Sequence, residues 1–311
     1  MRYLFFDSHG KLRSGWRVSV FLAAFIFVAA ILGILTYKGL EAANIDASGN
    51  SSAAFIVNSL VSLISALVLG WLCAKYLEDL PFYSLGVSFS KGWHRHLIVG
   101  VALGTVTLGI AVLAAFIGGG LAFDLNSAST PGQIVRSMAV SLLIFGAAAA
   151  FEEVLFRGYI LQTFARSGLA WLAILLTAVF FGIVHMGNPN SGFISSINTM
   201  LAGVWFGIAF LKTRDLWFVW GLHLMWNWTQ GSVFGIEVSG ITGVTDSPLL
   251  REIDRGPVWL TGLEYGIEGG VACSLAIIVS GLLIYKLPGL TSDPELLRMT
   301  SSDNKSPQYL P

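Results

Sequence analysis

Eight long apolar runs limit what this chain can fold into, because each is about the length that crosses a lipid bilayer. A bilayer-spanning helix needs roughly 20 mostly apolar residues, and inside lipid only helices and closed barrels satisfy every backbone hydrogen bond. The predicted helices cover residues 18–35, 55–76, 97–116, from a start signal at 129–132 to about 166, 169–186, 193–211, 216–234 and 269–287. The pattern predicts an all-α polytopic membrane bundle of about eight transmembrane helices.

Composition supports the membrane interpretation and excludes one class of partner. Of the 311 residues, 55% are hydrophobic and 12% are charged, whereas a soluble domain carries roughly 25% charged residues. The formal net charge is zero, so there is no basic surface with which to bind nucleic acid. The two cysteines, Cys73 and Cys273, lie in separate apolar runs and predict neither a disulfide framework nor a Cys-x-x-Cys metal site.

The order of the runs divides the chain into four parts. Residues 1–133 hold the first three helices, and residues 134–230 form a core of helices four to seven. Residues 231–287 contain a polar extracytoplasmic loop followed by the eighth helix. The tail, 288–311, is polar and contains prolines, a composition that predicts a disordered cytoplasmic segment.

The distribution of Lys and Arg predicts how the bundle is oriented. With the N-terminus placed in the cytoplasm, the inner segments carry 14 of these residues and the outer segments carry 4. Cytoplasmic loops are enriched in Lys and Arg, so both termini are expected on the cytoplasmic side. The expected location is a prokaryotic inner or plasma membrane, which the chain crosses several times.

Three charged residues interrupt the fourth apolar run and mark the place to look for chemistry. Residues 138–151 carry no charge, and Glu152, Glu153 and Arg157 then follow within six positions. A charge at bilayer depth costs about 2.5–3.5 kcal/mol on insertion scales. Three charges together are therefore expected to pair with one another or to serve a function.

Two further pairs of residues stand out in later helices. Phe181 and His185 end the fifth helix, and His223 and Asn227 lie in the seventh. Each pair has i, i+4 spacing, which places both members on one face of a helix. Counting about 1.5 Å per residue from the turn between helices four and five puts Glu152 about 22 Å deep and His185 about 25 Å deep. Similar depth predicts that these polar groups meet.

The two glutamates are expected to have different roles, because adjacent helical residues point about 100° apart. Glu153 and Arg157 have the i, i+4 order that favours an ion pair. Glu152 is then left facing the interior of the bundle. A carboxylate in such a site is suited to act as a general base.

One carboxylate, two imidazoles and an amide can support hydrolysis of an acyl bond in two ways. Glu152, His185 and His223 could hold a Zn²⁺ ion with one position open for water. Alternatively, Glu152 aided by His185 could deprotonate water directly, while His223 and Asn227 donate hydrogen bonds to the developing oxyanion. The second route is favoured because Glu153 is committed to Arg157 and Asn227 is a poor zinc ligand.

The three motifs, in this order and on successive helices, resemble those of the CPBP family. They read Glu152-Glu153-x-x-x-Arg157, Phe181-x-x-x-His185 and His223-x-x-x-Asn227. The family comprises type II CAAX prenyl endopeptidases together with bacterial Abi and bacteriocin-processing relatives, and the similarity covers about residues 134–230. The resemblance implies an intramembrane endopeptidase with Glu152 as the catalytic base. It also implies that the histidines and Asn227 bind water, metal or oxyanion.

The implied partners are membrane lipids and a peptide or membrane-protein substrate, which the sequence does not show to be prenylated. Two other classes of function are compatible with the same residues. An ion-coupled transporter could use the glutamates and histidines as a proton relay, although no inverted repeat or pair of broken helices is apparent. A non-catalytic membrane immunity or scaffold protein could keep the residues without turnover.

Overall fold

The computed structural model describes residues 2–7, 10–47 and 51–301. All eight predicted segments are helical, so the prediction of an all-α membrane bundle is confirmed. We name the helices α1 (Ser14–Ala42), α2 (Ser52–Glu78), α3 (Trp93–Ile117), α4 (Pro131–Arg166), α5 (Ala170–His185), α6 (Phe193–Thr213), α7 (Leu216–Trp228) and α8 (Val271–Lys286). A ninth, α9, spans Pro294–Thr300.

Within the described ranges, five helices are long and apolar enough to cross a membrane, namely α1, α2, α3, α4 and α6. The apolar helices α5 and α8 are shorter, with 16 residues each. Helix α7 continues as a π-helix over Thr229–Val233. Short helical turns lie at Arg2–Phe5, Phe82–Leu85, Val258–Thr261, Leu263–Tyr265 and Ile267–Gly269.

Two short strands, which the sequence analysis did not predict, pair outside the bundle. Strand β1 (Leu121–Leu125) follows α3, and strand β2 (Leu250–Asp254) lies in the long segment between α7 and α8. They are antiparallel, with Leu121 opposite Asp254 and Leu125 opposite Leu250. The pairing fastens the long segment to the bundle at the end where α4 begins.

The start of α4 follows from its sequence. Thr130 caps the helix by accepting from the backbone N–H of Gln133, whose side chain accepts from the Thr130 backbone N–H, and Pro131 occupies the first turn. This capping box satisfies two backbone donors that a helix start otherwise leaves unpaired. It fixes where the helix that carries the glutamates begins.

Helices α3 and α7 approach very closely along glycines. A Cβ atom on Gly100 would lie 2.2 Å from the carbonyl oxygen of Phe218, and one on Gly104 would lie 2.3 Å from that of Leu222. On the opposite side of the seam, a Cβ on Gly221 would lie 2.8 Å from the carbonyl oxygen of Leu97. Small residues let helix backbones approach in this way inside membranes, and here they fix the height of α7 against α3.

The tail departs from the predicted disorder in the part that the structure describes. Helix α9 buries Leu296, Leu297 and Thr300, and the Arg214 guanidinium donates to the carbonyl oxygen of Thr300. Buried leucines and a capped helix end keep this part of the tail ordered. Residues 302–311 lie outside the described residues. Cys73 and Cys273 are free and buried.

Candidate active site

The helix that carries the glutamates changes its winding just after them. Helix α4 is α-helical from Pro131 to Glu153 and π-helical over Val154–Leu161 before it returns to α-helix. A π-helical stretch is a wider turn with i to i+5 hydrogen bonds and is frequently found at functional sites. The second π-helix, over Thr229–Val233, begins two residues after Asn227. Two of the three motif-bearing helices, α4 and α7, are thus widened beside their motifs.

Glu153 is a fully buried carboxylate held by two side chains. Nη1 of Arg157 lies 2.9 Å from its Oε1, and Nδ1 of His223 lies 2.8 Å from the same oxygen. The expected ion pair between Glu153 and Arg157 is therefore present. Because a carboxylate can only accept, His223 donates from Nδ1, and its Nε2 points away from Glu153.

Arg157 has no exposed surface and is enclosed by aromatic rings. Its guanidinium lies 5.0 Å from the ring centroid of Phe181 and 5.1 Å from that of Phe206. Nη2 also donates to the carbonyl oxygen of Gly203 at 3.3 Å. Cation–π contacts of this kind strengthen when water is excluded, so the site is built around a desolvated but neutralised charge.

Glu152 faces the other way, as the helix geometry predicts. Its side chain is 24% exposed, and its Oε2 lies 3.8 Å from Nε2 of His223. That oxygen is itself buried and has no hydrogen-bond partner among the described residues. Within the same described residues, Oε2 of Glu153 is likewise buried without a partner, but of the two glutamates only Glu152 lines the cavity described below.

His185 is oriented by its own helix. Its Nδ1 donates to the carbonyl oxygen of Phe181 at 2.8 Å. The ring of Phe181 packs on His185 with centroids 4.5 Å apart and contacts His223 at 6.3 Å. Since Nδ1 carries the proton of the neutral imidazole, Nε2 of His185 is left as an acceptor.

All four predicted catalytic residues line one cavity. It encloses about 760 Å³ of space, part of it open to solvent, and Glu152, His185, His223 and Asn227 all contribute to its wall. The three helices that carry the motifs therefore meet at this cavity. Most of the remaining wall is apolar, with aromatic residues from α6 and α7.

Three residues of the site were missed in the sequence analysis. Phe206 stacks on the His223 ring with centroids 4.5 Å apart, and nothing in the pattern of α6 distinguishes it from a core residue. Asn198 and Glu268 also line the cavity. Asn198 stands inside an apolar run, which is a signal that could have been used. Glu268 lies in the loop-like segment, where one acid among several gives no signal.

The three residues considered as zinc ligands do not form a metal cluster in this structure. Within residues 2–7, 10–47 and 51–301, no group of three His, Cys, Asp or Glu side chains is placed to hold a metal ion. Nδ1 of His223 is taken by Glu153, and Nδ1 of His185 is taken by a backbone carbonyl. Histidines that bind a metal through Nε2 commonly make such hydrogen bonds through Nδ1, and the steps proposed below use the side chains without a metal.

Comparison with known proteins agrees with the motifs. Residues 134–229 match the family model described as "Type II CAAX prenyl endopeptidase Rce1-like". The match begins at the residue where the resemblance begins and ends one residue before its limit. No curated protein matches the chain. The core of this multi-pass membrane protein, residues 134–229, is therefore similar to the Rce1-like type II CAAX prenyl endopeptidases.

Proposed function

We propose that this protein hydrolyses a peptide bond of a membrane-associated or lipidated substrate, with Glu152 as the general base. The observation that carries the proposal is the Oε2 atom of Glu152, which is buried in the cavity wall with no hydrogen-bond partner among the described residues. An unsatisfied carboxylate oxygen is free to accept a proton from water. A general base must lie within hydrogen-bond reach of the proton that it removes, and the Glu152 side chain lines the cavity and is partly exposed, which gives water and a peptide access to the carboxylate.

The other residues have roles that follow from their hydrogen bonds. Glu152 takes one proton from water as the water oxygen bonds to the carbonyl carbon. His185 assists as an acceptor through Nε2, because its Nδ1 is occupied by the carbonyl of Phe181. The proton held by Glu152 then passes to the leaving nitrogen as the carbon–nitrogen bond breaks, which gives a carboxylic acid and an amine.

His223 and Asn227 stabilise the tetrahedral oxyanion. Asn227 donates through its side-chain amide, which lies one helical turn after His223 on the same face of α7. His223 donates from Nε2 when it carries a second proton. With Glu152, Glu153 and Arg157 ionised, that second proton brings the formal charge of the four side chains to zero. Donors held in place before the reaction are worth about 2.7–4 kcal/mol each in comparable sites.

The test is cleavage by purified protein in lipid nanodiscs. Internally quenched peptides with a CAAX-type C-terminus, prenylated and unprenylated, would be compared for the parent and Glu152→Gln. We expect cleavage to fall by at least about a hundredfold in the variant, because general-base catalysis contributes roughly 10²–10⁴-fold. The matched control is Glu264→Gln, the same exchange at an exposed residue outside the cavity, and it should retain full activity.

A second arm covers substrates that the peptides do not represent. The C-termini of membrane proteins would be compared in cells that express the parent or Glu152→Gln. New C-termini that depend on Glu152 would support the proposal. Undiminished cleavage by Glu152→Gln, or the absence of any Glu152-dependent cleavage in both arms, would overturn it.

The choice between a bare carboxylate and a metal is tested separately. Parent protein stripped with a chelator is expected to keep most of its activity, because Glu152 acts on water directly. Stoichiometric metal in fresh preparations, with activity lost on chelation and restored by the same metal, would assign the reaction to a zinc-type site formed by Glu152, His185 and His223.

A further inference from the structure

The cavity is covered at one end by a segment that makes specific polar contacts with its wall. We call residues 234–270, between the π-helical end of α7 and the start of α8, the cap. Five cap residues line the cavity, namely Val238, Ser239, Ile241, Val244 and Glu268. The cap therefore forms part of the cavity wall, and its displacement would open the cavity on this side.

The tip of the cap is a tight turn whose two central residues have positive φ angles. Val238 and Ile241 form a β-bridge, and the two residues between them, Ser239 and Gly240, have φ values of 51° and 74°. Turns with two positive φ values favour Asn and Gly, and a serine in the left-handed region is uncommon. Ser239 therefore needs contacts from its surroundings to hold this turn.

Glu268 supplies those contacts. Its Oε2 accepts from the backbone N–H of Ser239 at 2.6 Å and from the Ser239 hydroxyl at 2.7 Å. Its Oε1 accepts from Nε1 of Trp226 at 2.9 Å. One carboxylate thus joins the two halves of the cap to α7.

The backbone of Glu268 is fixed independently of its side chain. Nδ2 of Asn198 donates to the carbonyl oxygens of Glu268 and Gly270 at 2.8 and 2.9 Å. Nδ2 of Asn188 donates to the carbonyl oxygen of Ser239 at 3.1 Å. Removal of the Glu268 carboxylate would therefore leave the segment in place and remove only the hydrogen bonds of that carboxylate to the Ser239 turn and to Trp226.

Trp226 connects this carboxylate to the residues proposed for catalysis. It lies on α7 between His223 and Asn227, three residues after the first and one before the second. Its ring contacts Trp205 with centroids 5.7 Å apart, and Trp205 stacks on Phe206 at 4.9 Å. Phe206 in turn stacks on His223. The indole is therefore placed to transmit the state of the cap to the site.

We propose that Glu268 is a positioning residue that couples closure of the cap to the alignment of α7. The cap is shut when one oxygen of Glu268 holds the Ser239 turn, and α7 is aligned when the other oxygen holds Trp226. The coupling to catalysis rests on the proposed function, whereas closure of the cap and order in α7 do not. Both can be measured without any substrate.

Cys273 is a native reporter of closure. It lines the cavity and is 1% exposed, whereas Cys73, also buried, lies in α2 away from the cavity wall and serves as an internal reference. Site-resolved mass spectrometry would follow alkylation of both thiols by N-ethylmaleimide in nanodiscs. Glu268→Ala should speed labelling of Cys273 on the order of tenfold or more, since a hydrogen bond to a charged group is worth about that factor in an equilibrium. The labelling rate of Cys273 in Glu268→Gln should lie between those in the parent and in Glu268→Ala.

Three further comparisons separate the two functions of the carboxylate. Trp226→Phe keeps an aromatic ring and leaves the contacts of Glu268 with Ser239 in place, so Cys273 labelling should match the parent. Hydrogen exchange of the amides from 223 to 233, in α7 and its π-helical continuation, should rise. Glu268→Ala should raise exchange both there and in the cap turn. Glu264→Gln, the same type of change at an exposed cap residue, should leave both measurements at parent values.

Kinetics then link the alignment to turnover. On a peptide that the parent cleaves, Trp226→Phe should lower kcat about tenfold with little change in KM, because it disturbs the catalytic helix and not the entrance. Parent-like labelling and exchange in Glu268→Ala would overturn the proposal, as would a Trp226→Phe effect confined to KM. If the parent cleaves no substrate, the proposed function fails, and the labelling and exchange results still decide whether Glu268 closes the cap and orders α7.

Discussion

A single carboxylate oxygen, Oε1 of Glu153, accepts from both Arg157 and His223. It therefore neutralises a buried guanidinium and fixes the ring of a histidine in the cavity wall. Glu152, one residue earlier, has a buried oxygen that is free of such contacts. The Glu-Glu sequence thus places the carboxylate that pairs with Arg157 and His223 beside the one proposed as the general base, separated by the 100° step of a helix.

This division predicts different failures for the two glutamates. Glu153→Ala leaves Arg157 buried without its partner, and breaking a buried pair in this way costs about 3–5 kcal/mol. We expect a clear drop in the thermal unfolding temperature of the purified protein. Glu152→Ala removes a partly exposed side chain that Arg157 does not need, so it should unfold near the parent temperature while losing cleavage. Equal unfolding temperatures for the two variants would refute the division.

At this scale, residue spacing predicts contacts within one helix but not contacts between helices. The pairing of Glu153 with Arg157 follows from spacing alone, because both residues lie on one element. The contact between Glu153 and His223 joins residues 70 positions apart, and no periodicity within either helix reports it. Glu268 was missed for the same reason, since its importance comes only from the indole and the turn that fold onto it.

At the scale of elements, the close packing of α3 and α7 controls where His223 and Asn227 lie. Carbonyl oxygens of α7 occupy the space that side chains on Gly100 and Gly104 would fill. The helix that carries half of the proposed site is therefore held at a fixed height by its neighbour. A change on α3, which contributes nothing to the cavity wall, should disturb the site.

Gly104→Ala tests this dependence. The added Cβ would lie 2.3 Å from the Leu222 carbonyl oxygen, and overpacking of this kind typically costs about 1–3 kcal/mol. We expect a lower unfolding temperature together with reduced cleavage. Gly109→Ala is the matched control, because a Cβ there meets nothing within 4 Å. If both variants behave like the parent, the seam does not fix α7.

The strand pair contains a glutamate, Glu252, whose pKa is raised. Burial, helped by the nearby carboxylates of Glu237 and Asp254, raises the pKa of Glu252 to about 8. Glu252 stands opposite Phe123 in the β1–β2 register. In the unfolded chain the same carboxyl group titrates near its ordinary pKa of 4.5, so the folded protein holds the proton more tightly.

The sign of the pH dependence follows from that difference. Between about pH 4.5 and pH 8 the folded state keeps a proton that the unfolded state has lost, so stability falls as pH rises through this window and levels off above it. Glu252→Gln is expected to remove this contribution. The difference in unfolding temperature between the variant and the parent should therefore grow from pH 5 to pH 8. A difference that does not change with pH would contradict the assignment.

At the scale of the whole molecule, hydropathy predicted the helical bundle but not the polar segments that pack against it. All eight apolar runs are helices, because in lipid an apolar run of this length has few alternatives to a helix. The strand pair, the cap and α9 lie in polar segments, where the fold depends on contacts between distant residues. Composition predicted disorder for the tail, and the burial of Leu296 and Leu297 against the bundle overrides it.

The orientation of the bundle stays a prediction, argued from the 14 to 4 distribution of Lys and Arg. Reporter fusions after Lys91, after Lys212 and at the C-terminus are expected to read as cytoplasmic. A fusion within residues 239–255 should read as external. An external C-terminus would require a different number of membrane crossings.

The shortness of α5 has a consequence for the lipid around the protein. Its 16 residues span about 24 Å, whereas the hydrocarbon core of a bilayer is about 30 Å thick. Its outer face is apolar and exposed at Leu172, Leu175 and Val179, so we expect it to meet acyl chains and to be matched by local thinning of the bilayer. Because His185 ends this helix, such thinning would lie beside the cavity. Headgroups and their water would then come close to the proposed site, which would lower the barrier that a polar peptide bond must cross to reach Glu152.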